Sequence, residues 1–427
     1  MYPCGMSALL IIVFVLGYVA IALEHTIKVN KAASALVTGA VLWAVLALGG
    51  GGHDPSSEVG HHMSEISGIL FFLLGAMTIV ELIAAHNGFD LVTARISTSS
   101  KRGLMWTVGL IAFFLSAVLD NLTTTIVMVS LLGKLIATKE ERMWAAGIVI
   151  IAANAGGAWS PIGDVTTTML WIKGQVTTGP LVMHLLLPSL VCLAVPLLLA
   201  NHRLRGKMAR PDAGDRKHDG LTKKQRTMVL IAGVVGLLLV PVFKTVTHLP
   251  PFVGILLMLG LLWLLTEVMH GGKDEESAAE FSVAHALRKV DTSSVLFFLG
   301  ILLSISALQT AGILNDVAAG LSAAVPDVHA QGLLIGLISA LVDNVPLVAA
   351  AQGMYADAFV TDHTFWIFLA YCAGTGGSAL IIGSAAGVAA MGMEKIGFFW
   401  YVKKIAWLAL AGYFAGAAVY LLQRSLF

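Results

Sequence analysis

Two stretches put carboxylates where the flanking sequence is apolar: Ser116-Ala-Val-Leu-Asp120-Asn121-Leu-Thr123-Thr124-Thr125 and Ser339-Ala-Leu-Val-Asp343-Asn344-Val-Pro346. One carboxylate inside a bilayer costs about 2.5–3.5 kcal/mol on insertion scales. A chain that carries such an acid twice, in matching motifs, is using it. A third acid, Asp164, closes the tract Asn154-Ala-Gly156-Gly157-Ala-Trp-Ser160-Pro161-Ile-Gly163-Asp164 and is followed by Thr166, Thr167 and Thr168. Asp120, Asn121, Asn154, Asp164, Asp343 and Asn344, with threonines such as Thr124, Thr166 and Thr167, offer carboxylates, amides and hydroxyls. Hard cations take such oxygen ligands, whereas a thiolate or imidazole cluster would point to a transition metal. No Lys or Arg accompanies these tracts. That argues for a cation over an anionic cargo, although helix N-termini and hydrogen bonds also hold anions. A carboxylate kept from water titrates above its usual value of about 3.9. Proton and metal cation then compete for the same oxygens, and that competition is the physical core of antiport.

The elements that position these groups are membrane helices. The chain is 57% hydrophobic and 12% charged, with a mean hydropathy of +0.86; ordinary soluble domains carry about twice that charge. Apolar runs long enough to span recur from end to end, which gives a polytopic helical protein. A β-barrel would show short alternating segments instead. Cys4, Cys192 and Cys372 stand isolated and read as small core residues. The first apolar run, Ser7 to Leu23, has its positive charges, Lys28 and Lys31, after it. It is a poor signal peptide and a good first span with the N-terminus outside.

Gly103–Leu135 is too long for one ordinary span and too short for two, with Asp120 at its midpoint. A re-entrant hairpin fits, its tip at Leu119-Asp120-Asn121 in a site that protein or trapped water must line. Residues 143–172 form a second over-long element, broken by the Asn-Gly-Gly and Ser-Pro-Ile-Gly tract into two half-helices. Broken helices present free backbone groups at mid-membrane, where transporters bind ions. The second half repeats this order more weakly, with a hairpin over 328–359 and a broken helix over 365–391. There Gly374-Thr375-Gly376-Gly377-Ser378 and Gly383-Ser384 replace the earlier motifs. Ser378 is a candidate ligand; Ser384 carries less weight, since small residues also serve close packing.

Nine basic residues crowd the loop from Arg203 to Arg226. Between two spans, such a run marks a cytoplasmic loop rather than a nucleic-acid site. If both Asp-Asn segments are re-entrant, the basic loops all fall inside, Lys139 and Arg142 included. The stretches 51–65, 313–331 and 354–364, read as outer loops, hold no Lys or Arg. The hairpin mouths then open on opposite faces, so the repeats are inverted. His53, His61 and His62 in the first outer loop lack a regular ligand spacing. A membrane protease with an aspartate dyad is the rival class. Neither acid, however, lies in a Gly-x-Gly-Asp setting, and no Gly-x-Ser-x-Gly or His-Glu-x-x-His is present. A passive channel is disfavoured by mid-membrane sites in inverted repeats.

The stretch Ser116–Thr125, followed by Ala153-Asn-Ala-Gly-Gly-Ala-Trp-Ser-Pro-Ile-Gly-Asp-Val-Thr-Thr-Thr-Met-Leu-Trp171, closely resembles the NhaD-type sodium/proton antiporters of the ion transporter superfamily. The resemblance implies Na+ or Li+ export in exchange for H+ with no cofactor, in a multi-pass protein of a bacterial inner membrane, favoured at alkaline pH. It also implies a homodimer with a scaffold and a mobile transport domain working as an elevator. Residues 1–62 would then be scaffold helices and 63–200 the first repeat. The basic loop, two more scaffold helices and a linker would fill 201–290, and the second repeat with the last helix 291–427. By motif, Asp120, Asn121, Asn154, Asp164, Thr166 and Thr167 match polar residues important in that family, and Asp343, Asn344 and Ser378 match its second-half site less distinctively. Another carrier of the superfamily, moving an oxyanion or organic acid, is the alternative.

Overall fold

The apolar runs become helices because their interiors are Leu, Ala, Val and Ile, while residues that cap or break a helix stand at the ends. The computed structural model describes residues 4–49, 54–93, 100–201, 221–271, 279–341, 343–355 and 358–426, and the single positions 96, 98 and 206. Among these residues there is no strand, and eight helices are long and apolar enough to cross a bilayer. In order come α1 (Cys4–Ala22), α2 (Lys31–Leu48), α3 (Pro55–Ala85), α4 (Lys101–Leu119), α5 (Asn121–Leu135) and α6 (Lys139–Ala158). Then follow α7 (Val165–Ile172), α8 (Thr178–Ala200), α9 (Lys223–Thr247), α10 (Pro251–His270), α11 (Thr292–Thr310) and α12 (Ile313–Ala324). The last are α13 (Val328–Ile338), α14 (Asn344–Tyr355), α15 (Thr364–Gly376), α16 (Ala385–Glu394) and α17 (Trp407–Leu426).

The chain divides into two units, one comprising Met1–Leu74, Asp291–Gln331 and Val345–Val360. Here α2 and α11 pack closely because Gly300 lets the Ala35 backbone approach, where a side chain would collide. The Trp43 indole crosses the same seam and donates to the Leu303 carbonyl at 3.0 Å. Two stretches read above as outer loops are largely helical. Pro55 opens α3, with the Asp54 carboxylate accepting from the Ser56 N–H at 3.0 Å, and Gly60 alone does not interrupt the run. His62 accordingly lies on a helix, its Nε2 3.2 Å from Thr310 Oγ1, while His53 falls outside the described residues. Likewise α12 occupies most of 313–331. At the far end of α14, the Tyr355 hydroxyl donates to Gln331 Oε1 near the start of α13 at 2.7 Å. The chain from α13 into α14 thus returns to the end it left.

The second unit comprises Gly75–Val290, Gly332–Asn344 and Thr361–Phe427. It holds the other Asp-Asn turn, between α4 and α5. Lys101, opening α4, pairs with Glu141 at the start of α6 at 2.5 Å. Lys134, closing α5, reaches Asp90 at 3.2 Å, and Arg142 donates to the Ile136 and Ala137 carbonyls just beyond α5. The start of α4, the end of α5 and the start of α6 therefore share one end of this unit. Helix α6 runs on through Asn154 and both glycines to Ala158, and the break covers 159–164. This differs from a break beginning at Asn154. The glycines give room for a neighbouring backbone, and Ser160-Pro161 ends the helix. The same holds for α15, helical to Gly376, with a break over 377–384 before α16.

Candidate functional site

Asp120 alone separates α4 from α5, at φ 79° and ψ 160°. That region is essentially reserved for glycine and costs a side-chain-bearing residue about 1–3 kcal/mol. Its carboxylate holds the turn: Oδ1 accepts from the Thr123 N–H and Oδ2 from the Thr123 hydroxyl, both at 2.8 Å. Asp164 caps α7 in a similar way, its Oδ1 accepting from the Thr166 N–H and hydroxyl at 2.9 Å each. Its other oxygen, Oδ2, accepts from Asn121 Nδ2 at 2.7 Å. The same nitrogen donates to Asn154 Oδ1 at 3.0 Å. Asn154 Nδ2 in turn donates to Ser378 Oγ at 2.8 Å and Ser384 Oγ at 2.9 Å. One buried chain of polar groups thus runs from the first turn, through the first break, to the second.

The two breaks are built alike. Ser116 Oγ donates to the Ala153 carbonyl at 2.6 Å, and Ser339 Oγ lies 3.3 Å from the Ala373 carbonyl. A side chain on Gly156 would strike the Phe113 carbonyl, and one on Gly376 the Gly336 carbonyl. Gly163 sits on Ser116 and Ala117, Gly383 on Ala340. These contacts pair Asp120 with Asp343, Asn121 with Asn344, and Asp164 with Ser384. The second half keeps the hairpin acid and has a hydroxyl in place of the half-helix acid.

Of the residues singled out from sequence, Asp120, Asn121, Asn154, Asp164, Thr166 and Ser378 take part in this arrangement. Thr167 turns its hydroxyl to the Gly157 carbonyl at 3.2 Å and supports the break. Thr124 is fully buried, and its hydroxyl finds no hydrogen-bond partner among the described residues. Asn344 is buried, and its Nδ2 likewise has no partner there. Asp343 is half-buried and, like Asp120, lies within electrostatic reach of Asp164. Ser384, given little weight in the sequence, is a direct partner of Asn154; its signal was the Gly383-Ser384 pair in the place of Gly163-Asp164. Thr123 was legible only as a flanking hydroxyl.

Two oxygens converge on one nitrogen. Asn121 Nδ2 lies between a carboxylate oxygen and an amide oxygen, bonded to both. If that amide swings, the same two oxygens face a cation, with hydroxyls nearby. Charge, coordination by oxygen and burial agree with the handling of a small hard cation.

The whole chain has relatives. A family model described as "Citrate transporter" matches residues 6–366. Sodium/proton antiporter 1 of Arabidopsis thaliana is 50% identical over 97% of this chain and 72% of its own length. The Na(+)/H(+) antiporter NhaD of Vibrio cholerae is 30% identical over 98% of this chain and 91% of its own. Among solved structures, the Alcanivorax borkumensis YdaH transporter, described as having an unusual topology, shares the fold. Its TM-score is 0.54 at 12% identity, covering 86% of this chain and 87% of that one. From the family match and the identity across most of its length, this chain belongs to the citrate transporter (CitMHS) family and is a relative of these sodium/proton antiporters.

Proposed function

We propose that this protein is a secondary active antiporter that exchanges Na+ or Li+ from one side of its membrane for H+ from the other. The observation that carries the reading is the bridging Asn121 amide, held between Asp164 Oδ2 and Asn154 Oδ1 where a cation would sit. The names of the relatives, antiporters from a plant and a bacterium, support Na+ and H+ as the ions. Asp164 and Asn154 are the central cation ligands, with Asn121, Thr166 and Ser378 around them. Asp120 and Asp343 share the field of Asp164 and take part in proton uptake, flanked by Thr124, Thr167 and Asn344. Proton and cation compete for these carboxylates, so loading one expels the other.

The proposal extends to architecture. The matched breaks are the centres of two inverted repeats, with hairpins 103–135 and 328–359 and broken helices 143–172 and 365–391. Residues 1–62 and 201–290 contribute scaffold, and a homodimer of such scaffolds lets the hairpin-bearing part travel as an elevator. The membrane is one across which protons are pumped, such as a bacterial inner membrane, with the N-terminus outside.

The test uses everted membrane vesicles from antiporter-deficient cells with a fluorescent ΔpH probe. Na+ and Li+ should dissipate the gradient, and Asp120→Asn and Asp164→Asn should abolish the response at normal expression. The family description makes citrate the competing cargo. Silence toward Na+ and Li+, with a response to citrate, would overturn the antiport reading.

A further inference from the structure

We propose that Tyr401 tunes the cation affinity of the Asp164–Asn154 site without touching the ion, by fixing the second break so that Ser378 stays aimed at Asn154. The inference rests on the reading of Asp164 and Asn154 as cation ligands. Tyr401 is fully buried and donates its hydroxyl to the Ser378 carbonyl at 2.8 Å. Ser378 lies in the break over 377–384, so that carbonyl stands outside a continuous helical ladder. The other end of Ser378, its Oγ, receives Asn154 Nδ2. Ser384 Oγ, the second acceptor for that nitrogen, is itself fixed as the cap of α16 by the Gly387 N–H at 3.2 Å. While both serine oxygens hold Nδ2, Asn154 must turn Oδ1 toward Asn121 and Asp164. Loosening Ser378 lets the amide rotate and withdraws one oxygen from the site.

The segment that carries Tyr401 is suited to this work. Tyr401 ends the short helical turn Phe398–Tyr401 and immediately precedes a π-helical turn, Val402–Ala406. Such turns are rare and concentrate at functional sites. Ile405 within it lies against α6 at Gly147, where an added methyl would come within 2.6 Å of Ile405 Cδ1. Gly147 is two turns before Asn154 on the same helix, so the segment braces both partners of the Asn154–Ser378 hydrogen bond: the break through Tyr401, the helix through Ile405. A tyrosine that satisfies a carbonyl elsewhere is available for comparison. Tyr420 donates to the Thr364 carbonyl at 3.1 Å, at the start of α15 and away from the network.

The experiment compares Tyr401→Phe, Tyr420→Phe, Ser378→Ala and Tyr401→Phe/Ser378→Ala with wild type in reconstituted vesicles. Rates are measured against Na+ and Li+ concentration at matched expression. Removing the Tyr401 hydroxyl should raise half-saturating Na+ about tenfold, the scale of one net hydrogen bond, with maximal rate unchanged and the Li+/Na+ preference altered. Tyr420→Phe should behave as wild type. Because Tyr401 acts through Ser378, the double variant should be no worse than Ser378→Ala alone, and this non-additivity remains readable if either single variant folds less well. Wild-type half-saturation in Tyr401→Phe, a fall in maximal rate alone, or strictly additive losses would overturn the proposal. Asp164→Asn, run alongside with Na+-dependent thermal shift, separates the two levels. If it keeps the wild-type Na+ response, the site reading itself fails. If it loses that response while Tyr401→Phe is unchanged, only the role of Tyr401 fails.

Discussion

At the scale of residues, Asp120 is a carboxylate in a backbone conformation that glycine would adopt without cost. The turn needs φ 79°, and the proposed exchange chemistry needs the acid, so on that reading one position serves two demands that conflict. Substitution separates them. Asp120→Gly relieves the strain and Asp120→Ala retains it, so the alanine variant should be less stable than the glycine variant by about 1–3 kcal/mol. Thermal unfolding in detergent would show the difference, and both variants should lose exchange. An alanine variant as stable as the glycine one would mean that the turn is unstrained. Asp120 and Asp164 were legible in the sequence because an acid in an apolar run is costly wherever it appears, and Asn121 was legible as the neighbour of Asp120 in the repeated Asp-Asn pair. Ser384 was not, because a serine beside glycines looks the same whether it packs or ligates. The Gly383-Ser384 pair hinted at the position of Asp164, and the contacts of Gly383 establish it.

At the scale of elements, the hairpin and the broken helix meet through bare backbone. Gly156→Ala would drive a methyl into the Phe113 carbonyl and should cost about 1–3 kcal/mol as overpacking, with a loss of exchange. Gly133→Ala, on α5 with open space around it, should be neutral or raise stability by up to about 1 kcal/mol. Equal melting of the two variants would refute the close approach. These glycines also explain why the break begins later than the sequence suggests, while its end at Asp164 is as expected. Paired glycines suggest a helix stop, yet α6 continues through them to Ala158 because its hydrogen bonds survive and its surface is what must be bare. The stop falls at Ser160-Pro161, where the proline has no N–H to give. Long apolar elements were easy to find; whether polar stretches such as 55–65 were loops or helix ends was not, since a helix projecting beyond apolar surroundings needs no apolar stripe.

At the scale of the whole molecule, ion pairs and hydrogen bonds mark opposite ends of the hairpin-bearing unit. Arg142 grips both oxygens of Glu394 at 3.1 Å at one end. At the other, Thr177 donates its N–H and hydroxyl to Asp362, and the Thr361 hydroxyl reaches the Gly174 carbonyl at 2.8 Å. In the proposed orientation the first end is the cytoplasmic one. Single cysteines should therefore label from opposite sides: Thr361→Cys by an impermeant thiol reagent on intact cells, Glu140→Cys only in everted vesicles. Labelling of both from one side would reject the re-entrant path of α4 and α5.

Asp164 has one more consequence. Its Oδ1 is the acceptor that starts α7, so the first turn of that helix is tied to whatever the carboxylate holds. In the proposed cycle, a proton or an ion bound at Oδ2 draws electron density from the shared carboxylate and weakens the Oδ1 cap on the Thr166 amide, and its departure restores the cap. If Asp164 holds the cargo as proposed, cargo and local folding are linked equilibria, and the fraying of one short helix reports whether the carrier is loaded.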